Sequence, residues 1–270
     1  MFSVLCLVLL VGCGSKTTVA PTEPATVQSL TPGEVVVFAA ASLSESFAEV
    51  AQLFESQHPG VKVVCNFAGS QALSAQLGQG APADVFASAN VKEMDNAIQA
   101  GRVADGSQQT FARNKLVVIY PTDNPAGLGM LQDLAKPGLK LVLAAEEVPV
   151  GKYSIEFLDR AIQDAALGAT FKDDVLKNVV SYEENVKSVL TKVALGEGDA
   201  GIVYLTDISR DNAGKVGRLD IPDALNSVAT YPIAAVSDSE QPELAQAFVE
   251  LVLSAQGQGI LAKYGFLPPQ

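Results

Sequence analysis

Apolar, β-branched segments alternate with amphipathic segments along most of this chain, and this alternation limits the folds it can adopt. VVVFAA (residues 35–40) is typical of a buried strand, and LSESFAEVAQLFESQ (residues 43–57) has the apolar spacing of a helix. The same order continues through VKVVCNF, QALSAQLGQ, DVFAS, VKEMDNAIQA and KLVVIYP, and a second series begins at LKLVLAAE. Regular alternation predicts an α/β fold whose sheets are doubly wound and mostly parallel.

The two series predict two lobes. KLVVIYP and ATYPIAAV are apolar, extended segments that flank the second series, so we expect them to cross between the lobes. The final helices, ELAQAFVELVLSAQG and GILAKYG, would then return to the first lobe. The predicted organisation is lobe 1 over residues 33–114 and 231–270, and lobe 2 over residues 115–230.

The first residues are typical of a targeting segment. Residues 1–12, MFSVLCLVLLVG, are apolar but too short to cross a bilayer, which favours a signal peptide. The segment ends in LVGCGS, which resembles the lipobox of bacterial lipoproteins, so Cys13 is the predicted lipidation site. An ordinary secretory signal, in which Cys13 has no role, is the alternative. Residues 13–32 are rich in Thr, Pro and Ser, which predicts a flexible tether.

Composition argues against several classes of function. Thirty acidic and 18 basic side chains give a net charge of −12, without the clusters of Lys and Arg that nucleic acids require. A serine hydrolase would have to use the single histidine, His58, and the chain has no G-x-S-x-G motif. One histidine and Cys65 cannot build a zinc centre. We therefore expect a binding protein and not an enzyme, with neither a cofactor nor a nucleic-acid partner.

Two serines stand where an apolar strand gives way to a helix. VVVFAAAS ends at Ser42 and VKVVCNFAGS ends at Ser70, and ligands of doubly wound sheets bind at such strand ends. A helix N-terminus carries unpaired N–H groups and a partial positive charge, so two converging helix starts suit a small oxyanion. The alternative is that both serines only cap their helices, since Ser42 and Glu45 have the spacing of a capping box.

The second series offers three comparable positions. Val150 and Gly151 precede the helical segment KYSIEFLDRAI, where glycine allows the backbone to approach a ligand closely. Asn185 is a candidate N-cap directly before Val186. Tyr204 ends the strand GIVY, from which its hydroxyl can reach into a cleft. Taken singly, each of these residues is more often structural than ligand-binding.

The order of segments along the chain matches a known family. AAASL, FAGSQALSAQLGQGAPADVFASAN, VPVGKY, ENV, GIVYLTD and KYGF follow one another as in the molybdate-binding solute-receptor proteins of bacterial ABC transporters, which residues 33–266 resemble. The resemblance implies a two-lobed periplasmic-binding-protein fold of type II. It also implies that molybdenum is bound only as an oxyanion, molybdate or tungstate, through hydroxyl and backbone N–H groups. The matching positions are Ser42, Ser70, Val150, Val186 and Tyr204.

The same resemblance implies partners and a location. We expect a monomeric extracytoplasmic receptor, anchored to the membrane surface through Cys13, that delivers its ligand to an ABC transporter permease. Two positions depart from the family pattern: Val150 replaces a smaller residue, and Gly69 stands where serine is frequent. Receptors for sulfate, phosphate or a small organic acid are the alternatives with the same fold, and a serine hydrolase is the third.

Overall fold

A computed structural model describes residues 32–208 and 213–269. The predicted signal peptide, Cys13 and the tether up to residue 31 lie outside these residues. The strands are β1 (Glu34–Ala40), β2 (Lys62–Ala68), β3 (Val85–Ala87), β4 (Gln109–Pro121), β5 (Leu141–Ala144), β6 (Val179–Glu183), β7 (Ala200–Tyr204), β8 (Val216–Asp220) and β9 (Val228–Ala235). The α-helices are α1 (Ser44–Gln57), α2 (Ser70–Gly78), α3 (Val91–Gln99), α4 (Pro149–Ala161), α5 (Phe171–Lys177), α6 (Val186–Ala194), α7 (Pro242–Leu253) and α8 (Ala255–Lys263).

Two parallel cores form the two lobes. In lobe 1, β1 lies between β2 and β3, and in lobe 2, β5 lies between β6 and β7, with every one of these pairs parallel. The antiparallel pairs of the described residues all involve β4 or β9. The α/β fold that the alternation predicts is confirmed, with parallel cores and antiparallel connections between them.

The long strand β4 belongs to both lobes. Residues Gln109 to Lys115 pair with β9, and residues Leu116 to Pro121 pair with β7 and β8. The strand begins well before the segment KLVVIYP, because the more polar residues 109–114 also pair with β9. The two lobes therefore share one continuous strand order, β2-β1-β3-β9-β4-β7-β5-β6, with β8 paired to β4.

The C-terminal helices pack on lobe 1. Phe47 and Phe54 of α1 meet Phe248 of α7 edge to face, with ring centroids 6.0 and 5.4 Å apart. All three rings are fully buried, and burying a large apolar side chain contributes about 1.5–3 kcal/mol. No helix among the described residues is both long and apolar enough to span a bilayer.

The sequence pattern misses two kinds of short helix. Helix α5 has seven residues, about two turns, which is too short for the apolar period to be recognised in the sequence. Three-residue 3₁₀ helices follow β1 at Ala41–Leu43 and β7 at Leu205–Asp207. The first of these changes the expected role of Ser42, because it places an extra turn between the strand and α1.

Candidate oxyanion-binding site

Four helix N-termini meet around one small cavity between the lobes. They belong to the 3₁₀ helix Ala41–Leu43 and to α2, α4 and α6, and each follows the carboxyl end of a parallel strand. The cavity contains about 210 Å³ of space free of protein atoms. The residues that line it come from both lobes: Ala40, Ala41, Ser42, Ala68, Gly69, Ser70, Ala89, Val148, Pro149, Val150, Asn185, Val186 and Tyr204.

The structure brings all five of the sequence-predicted ligand residues to this cavity. Ser42, Ser70, Val150, Val186 and Tyr204 are each at most 4% exposed, although up to 162 positions separate them along the chain. The convergence follows from the topology, since the carboxyl ends of β1, β2, β5, β6 and β7 face the same cleft. Their role as ligand residues stays a prediction, and the arrangement names the cavity in which they would bind the ligand.

Neither serine caps its helix. Helix α1 begins at Ser44 with Leu43 at the N-cap position, and the Ser42 Oγ atom instead lies 2.9 Å from the hydroxyl of Tyr231. The predicted capping box is therefore wrong, because the 3₁₀ turn moves Ser42 out of the N-cap position. Ser70 is the first residue of α2, and its Oγ accepts a hydrogen bond of 3.0 Å from the backbone N–H of Ala89.

Tyr204 places a hydroxyl at the cavity from the end of β7. The side chain is 1% exposed, and its hydroxyl has no hydrogen-bond partner among the described residues. Burial raises the pKa of Tyr204 well above its ordinary value, so the hydroxyl is protonated and can donate. An unpaired buried polar group costs about 1–3 kcal/mol. A bound oxyanion would supply the missing acceptor.

The helices of lobe 2 contribute backbone donors. Pro149 occupies the first position of α4 and has no N–H, so the next free donors are the first-turn N–H groups of Val150 and Gly151. A Cβ atom on Gly151 would lie 2.0 Å from the carbonyl oxygen of Ala145, so only glycine allows α4 to start so close to β5. At α6, Asn185 is confirmed as the N-cap, since its Oδ1 accepts from the N–H of Ser188.

The cavity is lined by neutral residues. No charged side chain is among the lining residues of the described chain, so the positive potential comes from helix N-termini and hydroxyl dipoles. The adjacent cation, Lys187, pairs with Glu45 at 2.8 Å and with Asp207 at 3.2 Å. Burial disfavours its charged form, but the two carboxylates outweigh burial and raise the pKa of Lys187.

Side chains of α2 and α6 join the lobes beside the cavity. Gln71 of α2 donates a hydrogen bond of 2.9 Å to the backbone carbonyl of Glu184, and Lys187 of α6 reaches Glu45 of α1. Gly69 lies at the same junction, where an added Cβ atom would be 2.5 Å from the Glu184 carbonyl oxygen. Because Gly69 has no side chain, unlike the serine that is frequent at this position, the two lobes can approach each other closely here.

The groups that a serine hydrolase would need are not assembled. His58 follows the C-terminus of α1 and packs against Phe54 with the two rings tilted and their centroids 4.5 Å apart. Ser42 lies beyond the other end of the same 14-residue helix, which places the two residues about 20 Å apart at 1.5 Å per residue. Cys65 is only half-buried in β2, and no group of three or more His, Cys, Asp or Glu side chains in the described residues could hold a metal.

Sequence and structure comparisons agree with this architecture. The bacterial extracellular solute-binding protein family matches residues 35–267. The chain belongs to this family. It is 39% identical over 264 residues to the molybdate-binding protein ModA of Mycobacterium tuberculosis, an alignment that covers 96% of this chain and 93% of the relative.

Two solved structures share the fold of this solute-binding protein. The periplasmic molybdate-binding protein of Azotobacter vinelandii superposes with a TM-score of 0.75 at 22% identity, covering 87% of this chain and all of the other. The sulfate-binding protein SubI of Mycobacterium tuberculosis reaches a TM-score of 0.77 at 21% identity, covering 87% and 86%. These comparisons confirm the predicted periplasmic-binding-protein fold. Membership of a solute-binding family also confirms that the chain is a binding protein and not an enzyme.

Sequence reasoning missed the residues behind the cavity. Tyr231 on the crossing strand β9 contacts Ser42, and Asn114 on the crossing strand β4 contacts Tyr231. The one signal for them is a polar side chain inside an otherwise apolar strand, as in ATYPIAAV, which does not say what the side chain contacts.

Proposed function

We propose that this protein is the extracytoplasmic receptor of an ABC transporter and captures molybdate, or tungstate, between its two lobes. The observation that carries the proposal is the set of neutral donors around one cavity: two serine hydroxyls, one unpaired tyrosine hydroxyl and the first-turn N–H groups of four helices. Tetrahedral dianions with four acceptor oxygens suit such a site. The molybdate-binding relative at 39% identity supports this choice of ligand.

Each proposed ligand residue has a distinct role. Ser42 and Ser70 would donate through hydroxyl and backbone N–H, Val150 and Val186 through backbone N–H, and Tyr204 through its phenolic hydroxyl. Val150, which replaces a smaller residue of related receptors, would still donate through its backbone N–H, because a backbone donor does not depend on its side chain. No arginine is among the described residues that line the cavity, which disfavours an organic carboxylate as ligand.

Lobe closure would complete the site. Residues 33–114 and 231–270 would move as lobe 1 against residues 115–230 as lobe 2, and closure would remove water from the bound anion. Hydrogen bonds in such a desolvated site are strengthened. Size would separate molybdate and tungstate from sulfate, since donors placed for the larger anion lie too far from the oxygens of the smaller one.

Membrane attachment forms a second part of the proposal. Lipidation of Cys13 would anchor a monomeric receptor, and residues 13–32 would let it reach the permease. A Cys13→Ala variant should move from the membrane fraction to the soluble extracytoplasmic fraction, with its affinity for molybdate unchanged. Retention of this variant on the membrane would reject the anchor.

Calorimetric titration of the purified protein with molybdate, tungstate, sulfate and phosphate at one ionic strength tests the ligand. We expect tight binding of molybdate and tungstate and little response to the other two. A preference for sulfate or phosphate would keep the helix-terminus site and reassign the ligand, an outcome that the shared fold with a sulfate-binding protein makes concrete. Silence to all four anions would reject the oxyanion site.

A further inference from the structure

The Ser42 hydroxyl is the last member of a chain of buried side-chain hydrogen bonds. Its Oγ atom lies 2.9 Å from the hydroxyl of Tyr231, which lies 3.4 Å from Nδ2 of Asn114. Nδ2 of Asn114 also donates to the Thr206 hydroxyl at 2.7 Å. The four side chains are between 0% and 4% exposed, so bulk water does not compete for these bonds.

The amide of Asn114 determines the direction of the chain. Its Oδ1 atom accepts a hydrogen bond of 3.0 Å from the backbone N–H of Lys115, which turns the NH₂ group towards Tyr231 and Thr206. An amide NH₂ group donates only, so the Tyr231 oxygen accepts from it. Either oxygen of the Ser42–Tyr231 pair can donate by distance alone, and with the Tyr231 oxygen accepting from Asn114 the arrangement favours Tyr231 as the donor to Ser42 Oγ.

We infer that Tyr231 and Asn114 are positioning residues that hold Ser42 as a hydrogen-bond donor to the ligand and thereby disfavour protonated oxyanions. The inference rests on the proposed function and names a selectivity device for the same site. Ser70 is likewise held as a donor to the ligand, through a different contact: the N–H of Ala89 donates to its Oγ at 3.0 Å. Both serines therefore accept from the protein and direct their own protons at the cavity.

The consequence is chemical and independent of anion size. A fully deprotonated oxyanion accepts from both serines, whereas a protonated one presents an O–H group that needs an acceptor. Each serine has one lone pair engaged by the protein and its proton directed at the cavity, so that O–H group meets a donor and is left unpaired. Burial also raises the pKa of Tyr231, so its hydroxyl keeps the proton that it donates.

The Tyr231→Phe variant tests the inference with two anions of similar size. Molybdate carries no proton near neutral pH, whereas dilute, monomeric orthovanadate is a tetrahedral oxyanion that does. We expect Tyr231→Phe to weaken molybdate binding about three- to tenfold, because Ser42 is no longer held as a donor. The ratio of the vanadate Kd to the molybdate Kd, measured by displacement of bound molybdate, should fall about tenfold, because the Ser42 hydroxyl becomes free to turn its proton away from the ligand and accept.

A double-mutant cycle separates this role from a structural one. In a Ser42→Ala background, Tyr231→Phe should change the molybdate Kd by less than about twofold, because its effect passes through the removed hydroxyl. Tyr264→Phe is the matched control, since its hydroxyl contacts Glu49 on the surface of lobe 1 at 2.9 Å. It should leave both anions unaffected. Thermal unfolding of each variant verifies that it is folded.

The outcomes are distinct. An unchanged ratio of vanadate to molybdate affinity in Tyr231→Phe, including no displacement by vanadate in either protein, would overturn the inference. An equal loss of molybdate affinity with and without Ser42 would do the same, since it would show a general packing effect. Failure of the wild-type protein to bind molybdate would instead reject the proposed function itself.

Discussion

The ammonium group of Lys187 on α6 lies 2.8 Å from the carboxylate of Glu45 on α1, so an ion pair joins the two lobes beside the cavity. The same ammonium group lies 3.2 Å from Asp207, whose side chain is fully buried at the end of β7. Asp207 Oδ2 in turn accepts a hydrogen bond from the backbone N–H of Tyr204. The contact between the lobes and the placement of Tyr204, a proposed ligand residue, thus depend on one charged cluster.

Removal of Lys187 and removal of Glu45 should lower the stability of the protein by different amounts. Burial raises the pKa of Asp207 and Lys187 opposes that rise, so Lys187→Met leaves the buried Asp207 carboxyl without its cation and we expect the free energy of unfolding to fall by about 3–5 kcal/mol. Glu45→Gln removes a partly exposed partner and should cost less than about 1 kcal/mol. Denaturant titration of both variants measures the difference, and equal losses would contradict this account of the cluster.

The contribution of Glu45 to the stability of the folded protein should depend on pH. Burial alone would raise its pKa, but hydrogen bonding and attraction to Lys187 outweigh burial and lower the pKa from its ordinary value of 4.5. A lowered pKa means that the folded state binds fewer protons than the unfolded state, so the stabilisation is present above about pH 4.5 and is lost as pH falls through the folded-state pKa. The stability difference between wild type and Glu45→Gln should therefore shrink on acidification. A difference that grows with acidity would refute the assignment.

The serine hydroxyls should contribute to binding, and their loss should also cost about 1–3 kcal/mol of stability because the Tyr231 hydroxyl and the Ala89 N–H lose a buried partner. Ser42→Ala and Ser70→Ala are each expected to weaken molybdate binding by about 1.5–3 kcal/mol, the range for hydrogen bonds to charged groups. Ser46→Ala is the matched control, because Ser46 is also buried near the start of α1 but donates to the carbonyl of Leu43 and does not line the cavity. Calorimetry gives the affinities. Unchanged affinity in both site variants would remove these serines from the site.

Substitution of Gly69 should oppose closure of the lobes. Its φ of −60° is available to any residue, so Gly69→Ala should fold normally, yet its Cβ would lie 2.5 Å from the carbonyl oxygen of Glu184 in the other lobe. We expect molybdate affinity to fall about tenfold or more, because the contact exists only when the lobes approach. Gly78→Ala, at the other end of α2, meets only an ordinary contact of 3.7 Å and should bind normally. Equal affinities in the two variants would count against the closure argument.

The thiol of Cys65 should be slow to react in the folded protein. Burial raises its pKa from 9.0 to about 11, with a smaller contribution from the charge of Glu55. A shift of this size reduces the thiolate fraction near pH 8 by about a hundredfold relative to an unfolded chain. Alkylation followed by peptide mapping measures the rate at this residue. Rapid labelling without denaturant would contradict the burial of the thiol in β2.

Local patterns were sufficient to locate the elements of the site. The alternation of apolar runs and amphipathic segments predicts β1, α1, β2 and α2, because strand and helix periods are properties of neighbouring residues. Ser42, Ser70, Val150, Val186 and Tyr204 all stand at strand ends or helix starts, where parallel topology brings them to one edge. The resemblance to molybdate receptors then selected these five positions from the many helix starts of the chain.

The sequence by itself therefore determined the α/β fold and the positions at which a ligand could be bound, since both depend on short-range periodicity. The tertiary structure alone decided what each group contacts. Ser42 has the local spacing of a helix cap, but its hydroxyl meets Tyr231, which is 189 residues away. Lys187 reaches Glu45 across 142 residues. No local pattern encodes such contacts, because they arise only when strands β4 and β9 bring distant segments together around one cavity.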